Sequence, residues 1–396
     1  MSEIFGYYAP TKVVFGKGAE LQVAELIREQ GCKKVLLHYG SQSAKRTGLL
    51  DRIEKCLTDG GIDYVELGGV VPNPRLCKVY EGIELCKKEG VDFILAVGGG
   101  STIDSAKAIA YGLANEGDVW DLYRHVKQAT ACLPLASVLT IAAAGSETSN
   151  GSVITNEKTG EKRAYDSDLS RPKFAIMDPE LTMTLPDYQT KSGCTDILMH
   201  TMERWFSGAP CMEITDRVAA AVLQDVMKYA RILKDDPKNY EARAEIMWSG
   251  SISHNGLTGF GNDGGDWTTH NLEHELGGMF DVAHGAGLAA VWGSWARYVM
   301  KAGLDRFVKF ATFVMGVEAG NTEEETALRG IEAMEDFFRS IDMPTNLKEL
   351  GVSPTEEQLR IMAKGCAEAG GGQQGSLKVL YEEDLYNIYV MADKER

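Results

Sequence analysis

Up to about residue 178 the chain alternates short apolar runs with helical patterns, and this alternation constrains the fold more than any other feature. "KKVLLHYG" (33–40) reads as a buried strand, and "GLLDRIEKCLTDGG" follows with apolar residues at helical spacing and a glycine stop. "DYVELGGV" is a second strand and "CKVYEGIELCKKEG" a second helix. "DFILAVGGGS" is a third strand running into glycines, with "TIDSAKAIAYGLAN" as its helix. "LPLASVLTIAAAGSE", "VITNE" and "KFAIMDPE" add strand-like runs. Strands separated by helices run parallel, because each connection must return the chain to the same end of the sheet. After "LPDYQTKSG" the pattern changes. "CTDILMHTMERWFSG", "EITDRVAAAVLQDVMKYARILKD", "YEARAEIMWSGSISHNGL" and "TALRGIEAMEDFFRSI" are all helical in spacing. At 396 residues the chain is also too long for one simple core. The expectation is an α/β fold in two parts: a Rossmann-like parallel-sheet domain over 1–187, then an all-helical domain over 188–396.

Composition narrows the function. With 57 acidic against 41 basic residues, the net charge of −16 argues against nucleic acid, which is held by basic patches that displace counterions. No apolar run reaches the roughly 18 residues of a membrane span. The start, "MSEIFGYYAPTKVVFG", lacks the basic and apolar regions of a secretory signal. The eight cysteines are scattered without a CxxC, which suits reduced thiols and a cytoplasmic location.

Two stretches carry chemistry. In "LAVGGGSTIDSAKAIA" a strand meets three glycines and then a helix. Glycines let backbone approach an anion, and the helix start offers unpaired N–H groups and a positive dipole end. The loop is neither GxGxxG, since Ile103 takes the third glycine's place, nor GxxxxGK[ST]. The turn after the first Rossmann-like strand, Tyr39 to Ser43, has no acid, and Lys45 and Arg46 lie just beyond it. An acid near such a strand end selects NAD through the ribose 2′-hydroxyl, so its absence favours tolerance of a 2′-phosphate.

The second stretch is "DWTTHNLEHELGGMFDVAHGAG" (266–287), which holds three of the chain's seven histidines. His270 and His274 are four apart and share a helix face, and His284 follows beside a glycine-rich turn. Asp196 and His200 repeat the four-residue spacing on an earlier helix. A carboxylate and imidazoles converging from helices make a divalent transition-metal site. HExxH is absent, so this is not a zincin protease.

Together these motifs resemble the iron-containing (group III) alcohol dehydrogenases, on the butanol dehydrogenase and NADPH-dependent aldehyde reductase branch. The resemblance runs the length of the chain through "PTKVVFGKG", "GGVVPNPR", "AVGGGSTIDSAKAIA", "LTIAAAGSETSNGSVIT", "MDPELTMTLP", "SGCTDILMHTMERWFSG" and "DWTTHNLEHELGG…AHGAG". It implies metal ligands at Asp196, His200, His270 and His284, and a proton relay at His274. It implies a cofactor pyrophosphate on Gly98, Gly99, Gly100 and Ser101, with Asp104, Thr140, Ser146, Lys162 and Leu181 also lining the cofactor. Gly40 and Ser41 stand where NAD-preferring relatives carry an acid. The chain departs from these relatives in "YGSQS", where "YGGGS" is commoner, and at Ala144, where many have threonine.

The resemblance implies Fe²⁺, with Zn²⁺ or another divalent metal able to fill the same ligands. It also implies NADP(H) in preference to NAD(H), a small aldehyde or alcohol substrate, and a homodimer or dimer-based oligomer paired through "YYAPTKVVFG". Asn150, Phe260 and Trp267 suggest small, uncharged aldehydes. The alternatives on the same scaffold are a dehydroquinate synthase-like lyase, which needs basic residues around the metal that these stretches lack, and a polyol (glycerol or 1,2-diol) dehydrogenase.

Overall fold

Six parallel strands carry the first unit of the chain, Tyr8–Leu185. The structure, a computed structural model, describes residues 4–40 and 43–394. The strands are β1 (Lys12–Phe15), β2 (Lys34–Tyr39), β3 (Asp63–Leu67), β4 (Phe93–Gly98), β5 (Leu135–Leu139) and β8 (Phe174–Met177), in the order β1-β8-β5-β4-β2-β3. Helices α1 (Val23–Glu29), α2 (Leu49–Asp59), α3 (Leu76–Glu89) and α4 (Gly100–Ala114) separate the first five in turn. The central strands are apolar on both faces, as a parallel sheet covered on both sides requires. Val35 and Leu37, Phe93, Leu95 and Val97, and Ala136 and Val138 pack with Val23, Ile27, Leu50 and Ile53 of α1 and α2. The opposite face meets α4, where buried His38 of β2 bonds Ser105 Oγ through Nε2 at 2.9 Å.

A second, two-stranded antiparallel sheet pairs β6 (Gly151–Asn156) with β7 (Glu161–Asp166). The sequence pattern shows only the first of these strands. β7 reads "EKRAYD", four charges in six residues, and lacks the apolar alternation that would mark it.

The second unit gathers Pro186–Arg396 with the residues up to Tyr7. Phe5 and Tyr7 meet the Phe260 ring edge-on, with centroids 4.7 and 5.8 Å away. Its longer helices are α5 (Asp187–Trp205), α6 (Glu213–Asp235), α7 (Tyr240–His254), α8 (Thr268–Phe280), α9 (His284–Val299), α10 (Glu323–Ser340), α11 (Glu356–Ala369) and α12 (Glu382–Ala392). Among the described residues its β-structure is one isolated bridge, Gln374 to Leu380. Every residue of α5 from Thr190 to Trp205 is buried. At its end a buried aromatic cluster holds it: Phe206 stacks on Phe307 at 4.3 Å and meets Trp295 of α9 edge-on at 5.7 Å. Among the described residues, no helix is long and apolar enough to cross a membrane.

Candidate active site

Three helices of the second unit bring ligand atoms of Asp196, His270 and His284 within 4.8 Å of one another, with His200 beside Asp196. Asp196 and His200 lie one turn apart on α5, His270 on the first turn of α8, and His284 is the first residue of α9. From Asp196 Oδ1 the distances are 3.5 Å to His200 Nδ1 and 3.7 Å to both His270 Nε2 and His284 Nε2. A tetrahedral metal with bonds of about 2.1 Å has ligand–ligand edges of about 3.4 Å. Asp196 Oδ1, His200 Nδ1 and His270 Nε2 are all buried without a hydrogen-bond partner. Each such orphan costs roughly 1–3 kcal/mol. One cation among the ligand atoms of Asp196, His270 and His284, which all lie within 4.8 Å of one another, would complete the orphaned atoms of Asp196 and His270, with His200 Nδ1 next to Asp196.

Small residues set this convergence. A Cβ on Gly285 would lie 1.9 Å from the Ser192 carbonyl oxygen of α5, and one on Gly287 would lie 2.9 Å from Glu273 Cγ. The motif "HGAG" therefore lets α9 touch α5 backbone to backbone, which carries His284 to Asp196. Trp267, just before α8, takes a left-handed conformation with φ 62°. Its ring lies 5.2 Å from His270 and beneath the Arg204 guanidinium at 4.6 Å.

The electrostatics divide the histidines. Burial drives the His200 pKa well below its ordinary value, and the positive groups of His254, His270, Arg204 and His284 push it further. His200 is thus a neutral imidazole, the form that ligates. Burial works against charge on His270 too, but the neighbouring carboxylates of Asp196 and Glu203 overcome it and raise that ring to about 9, so a cation binding at Nε2 displaces a proton from it. Two of these neighbours escape a reading of the sequence. Glu203 Oε1 accepts from His270 Nδ1 at 3.1 Å, and Glu273 Oε2 meets His284 Nδ1. Their only trace in the sequence is spacing, three residues after His200 and three after His270. His274 lies one turn beyond His270, and its ring stacks on His284 with centroids 5.8 Å apart. His254 is another neighbour, its ring centroid 4.1 Å from that of His200.

The expected cofactor residues fall in the first unit. Gly98 ends β4, and Gly100, Ser101 and Asp104 open α4. There is no room for side chains in the loop. A Cβ on Gly98 would meet Thr102 Oγ1 at 2.4 Å, one on Gly99 would meet Ile141 Cβ at 2.9 Å, and one on Gly100 would meet Ala144 Cβ at 2.7 Å. Thr140 follows β5 and donates its N–H to Gly98 O at 2.9 Å. Ser146 donates to Asp104 Oδ1 at 2.6 Å, while Asp104 Oδ2 accepts from Val153 N at 2.9 Å.

Lys162 is buried on β7, and Leu181 packs against the core face that includes β2. Gly40 follows β2, and Ser41 lies outside the described residues. Lys107 was not foreseen. It is fully buried on α4 and donates to the carbonyls of Ser149 and Gly151, at 3.0 and 2.7 Å. Burial lowers its pKa to about 8, against the opposing pull of Asp104 and Glu147.

A model of the iron-containing alcohol dehydrogenases matches residues 10–179, and one of the C-terminal region of the Fe-containing alcohol dehydrogenase family matches residues 190–392. The chain belongs to the iron-containing alcohol dehydrogenase family. Membership implies a divalent metal, usually iron, and a nicotinamide cofactor. The chain is 40% identical to NADH-dependent butanol dehydrogenase A of Clostridium acetobutylicum over 97% of its own length and 98% of that protein. It is 34% identical to an NADPH-dependent aldehyde reductase of Escherichia coli, over 94% of this chain and 95% of that one. The crystal structure of NADH-dependent butanol dehydrogenase A from Thermotoga maritima superposes with a TM-score of 0.95, at 40% identity and over 99% of each chain.

Proposed function

We propose that this chain is a metal-dependent, NAD(P)H-linked alcohol dehydrogenase that reduces short-chain aldehydes to primary alcohols and can run in reverse. One observation carries the reading: ligand atoms of Asp196, His270 and His284 lie within 4.8 Å of one another, those of Asp196 and His270 buried without a hydrogen-bond partner, in a family whose members use iron and nicotinamide. A divalent cation held by Asp196, His200, His270 and His284 supplies Lewis-acid polarisation of a carbonyl oxygen, and a bound nicotinamide supplies the hydride.

The chain's own residues do the rest. The glycine loop presents the backbone N–H groups of Gly100 and Ser101 at the α4 N-terminus to the pyrophosphate. Burial of Asp196, His200 and His270 keeps water from competing for the cation. His274 gives a proton to the alcohol oxygen as it forms, so that one hydride and one proton turn aldehyde into alcohol. Trp267, whose ring lies beside His200 and His270, gives the site an apolar wall, which favours small uncharged substrates.

NADPH is the better cofactor in this reading, with NADH also accepted, because Gly40 offers no acid to repel a 2′-phosphate. The relatives' names divide on this point, with NADH for the two butanol dehydrogenases above and NADPH for the aldehyde reductase. We further infer a homodimer, since β1 is an edge strand of the six-stranded sheet and pairing with a second copy would cover it. Light scattering that returns the 43.2 kDa monomer at micromolar concentration would overturn that inference. The principal test is a coupled one. Butanal should oxidise NADPH, followed at the nicotinamide absorbance, and chelation should stop the reaction until Fe²⁺ or Zn²⁺ is restored. No turnover by the metal-loaded protein with any short aldehyde would overturn the proposal.

A further inference from the structure

We propose that Glu203 and Glu273 are positioning residues that fix which nitrogen His270 and His284 present to the metal, each from the neighbouring helix. The inference rests on the metal site proposed above. Glu203, on α5, accepts through Oε1 from both the backbone N–H and ring Nδ1 of His270, at 2.9 and 3.1 Å. Glu273, on α8, meets Nδ1 of His284 at the start of α9. An ionised carboxylate can only accept, so in each ring Nδ1 carries a proton, and Nε2 is the nitrogen that gives up its own to a cation. Those two Nε2 atoms are the ones that stand 3.7 Å from Asp196 Oδ1.

The two contacts form a chain. α5 orients the ligand carried by α8, and α8 orients the ligand carried by α9. Both carboxylates are deeply buried, with side chains 2% and 0% exposed. Burying a charge costs several kcal/mol unless a partner compensates it. The compensation here is the histidine, and through it the cation. Gly287 keeps the space that Glu273 occupies, since a Cβ there would lie 2.9 Å from Glu273 Cγ and 3.2 Å from Oε1. With Asp196 the pair brings three carboxylates to one divalent cation, which raises the basicity of the imidazoles.

The test uses Zn²⁺ as the probe and the full chain. Affinity is measured by competition with a chromogenic chelator, for wild type, Glu203→Gln and Glu273→Gln. Glutamine keeps the shape and an acceptor oxygen but loses the charge. Each variant should bind Zn²⁺ about 10–100-fold more weakly. NADPH affinity, read by fluorescence, and the melting temperature of the metal-free protein should stay as in wild type. The temperature gained on adding Zn²⁺ should shrink. Wild-type Zn²⁺ affinity in both Gln variants overturns the positioning role while leaving the metal site standing. A wild-type protein that binds NADPH but no Zn²⁺ overturns both. Should a Gln variant fail to fold, Glu203→Asp and Glu273→Asp decide the matter. They keep the charge but withdraw it from Nδ1, so weakened Zn²⁺ binding supports the role and unchanged binding overturns it.

Discussion

The two units build their sites from different material. In the first, the cradle at the end of β4 is backbone, three glycines with no room for a Cβ and a helix start behind them. In the second, the centre is side chain, a carboxylate and three imidazoles with two more carboxylates behind. A backbone site binds by shape and dipole, and changes there should grade with size. A side-chain site binds by donor atoms, and changes there should be close to all or none.

Substitutions at four positions can break or sharpen that contrast. The largest effect is expected from His270→Ala, which should strip the metal and lower reduction at least about 10³-fold, as several kcal/mol of charge stabilisation is lost. Metal analysis and turnover check it together, and retained metal would remove His270 from the ligand set. Next is His274→Ala, one turn away. It should keep its metal and lose roughly 10²–10⁴-fold in kcat, the usual scale of lost general acid–base help. If His274→Ala loses the metal while His270→Ala keeps it, the two roles are reversed.

Gly100→Val probes the other unit. Its Cβ would start 2.7 Å from Ala144 Cβ. Overpacking of about 1–3 kcal/mol should weaken NADPH binding by about 10–100-fold and leave metal content unchanged. A smaller loss with Gly100→Ala than with Gly100→Val would show the size grading expected of a backbone site, and equal losses would contradict it. The smallest effect is expected at Gly40→Asp. Among the described residues the new Cβ meets Val70 O at 3.6 Å and Thr102 Oγ1 at 3.8 Å, both ordinary contact distances. It should raise the NADH to NADPH ratio of kcat/KM by about tenfold, the equivalent of 1.4 kcal/mol. A wild-type ratio that already favours NADH would refute the reading of this turn.

The same contrast explains what the sequence makes legible. Histidine is scarce in this chain, so its crowding between 266 and 287 stands out, and a four-residue spacing converts directly into a shared helix face. The buried strands are legible because runs such as "FILAV" have no other comfortable place. Glu203 and Glu273 are not, because glutamate on a helix usually faces water, and only packing reveals these two as buried. β7 is hidden for a related reason: Glu161, Lys162, Arg163 and Asp166 give a pattern of charge in which the pairing with β6 leaves no mark. The attachment of Phe5 and Tyr7 to Phe260 is a long-range contact to which local pattern has no access.

Gly285 holds a position from which mutation has no mild exit. Every single-base change in a glycine codon that encodes another amino acid adds a side chain, and here even a methyl would meet the Ser192 carbonyl oxygen at 1.9 Å. The damage would surface elsewhere, as a lost cation, although residue 285 supplies no donor atom. A saturation library sorted for iron retention should therefore return glycine alone at this codon, as invariant as the histidine before it.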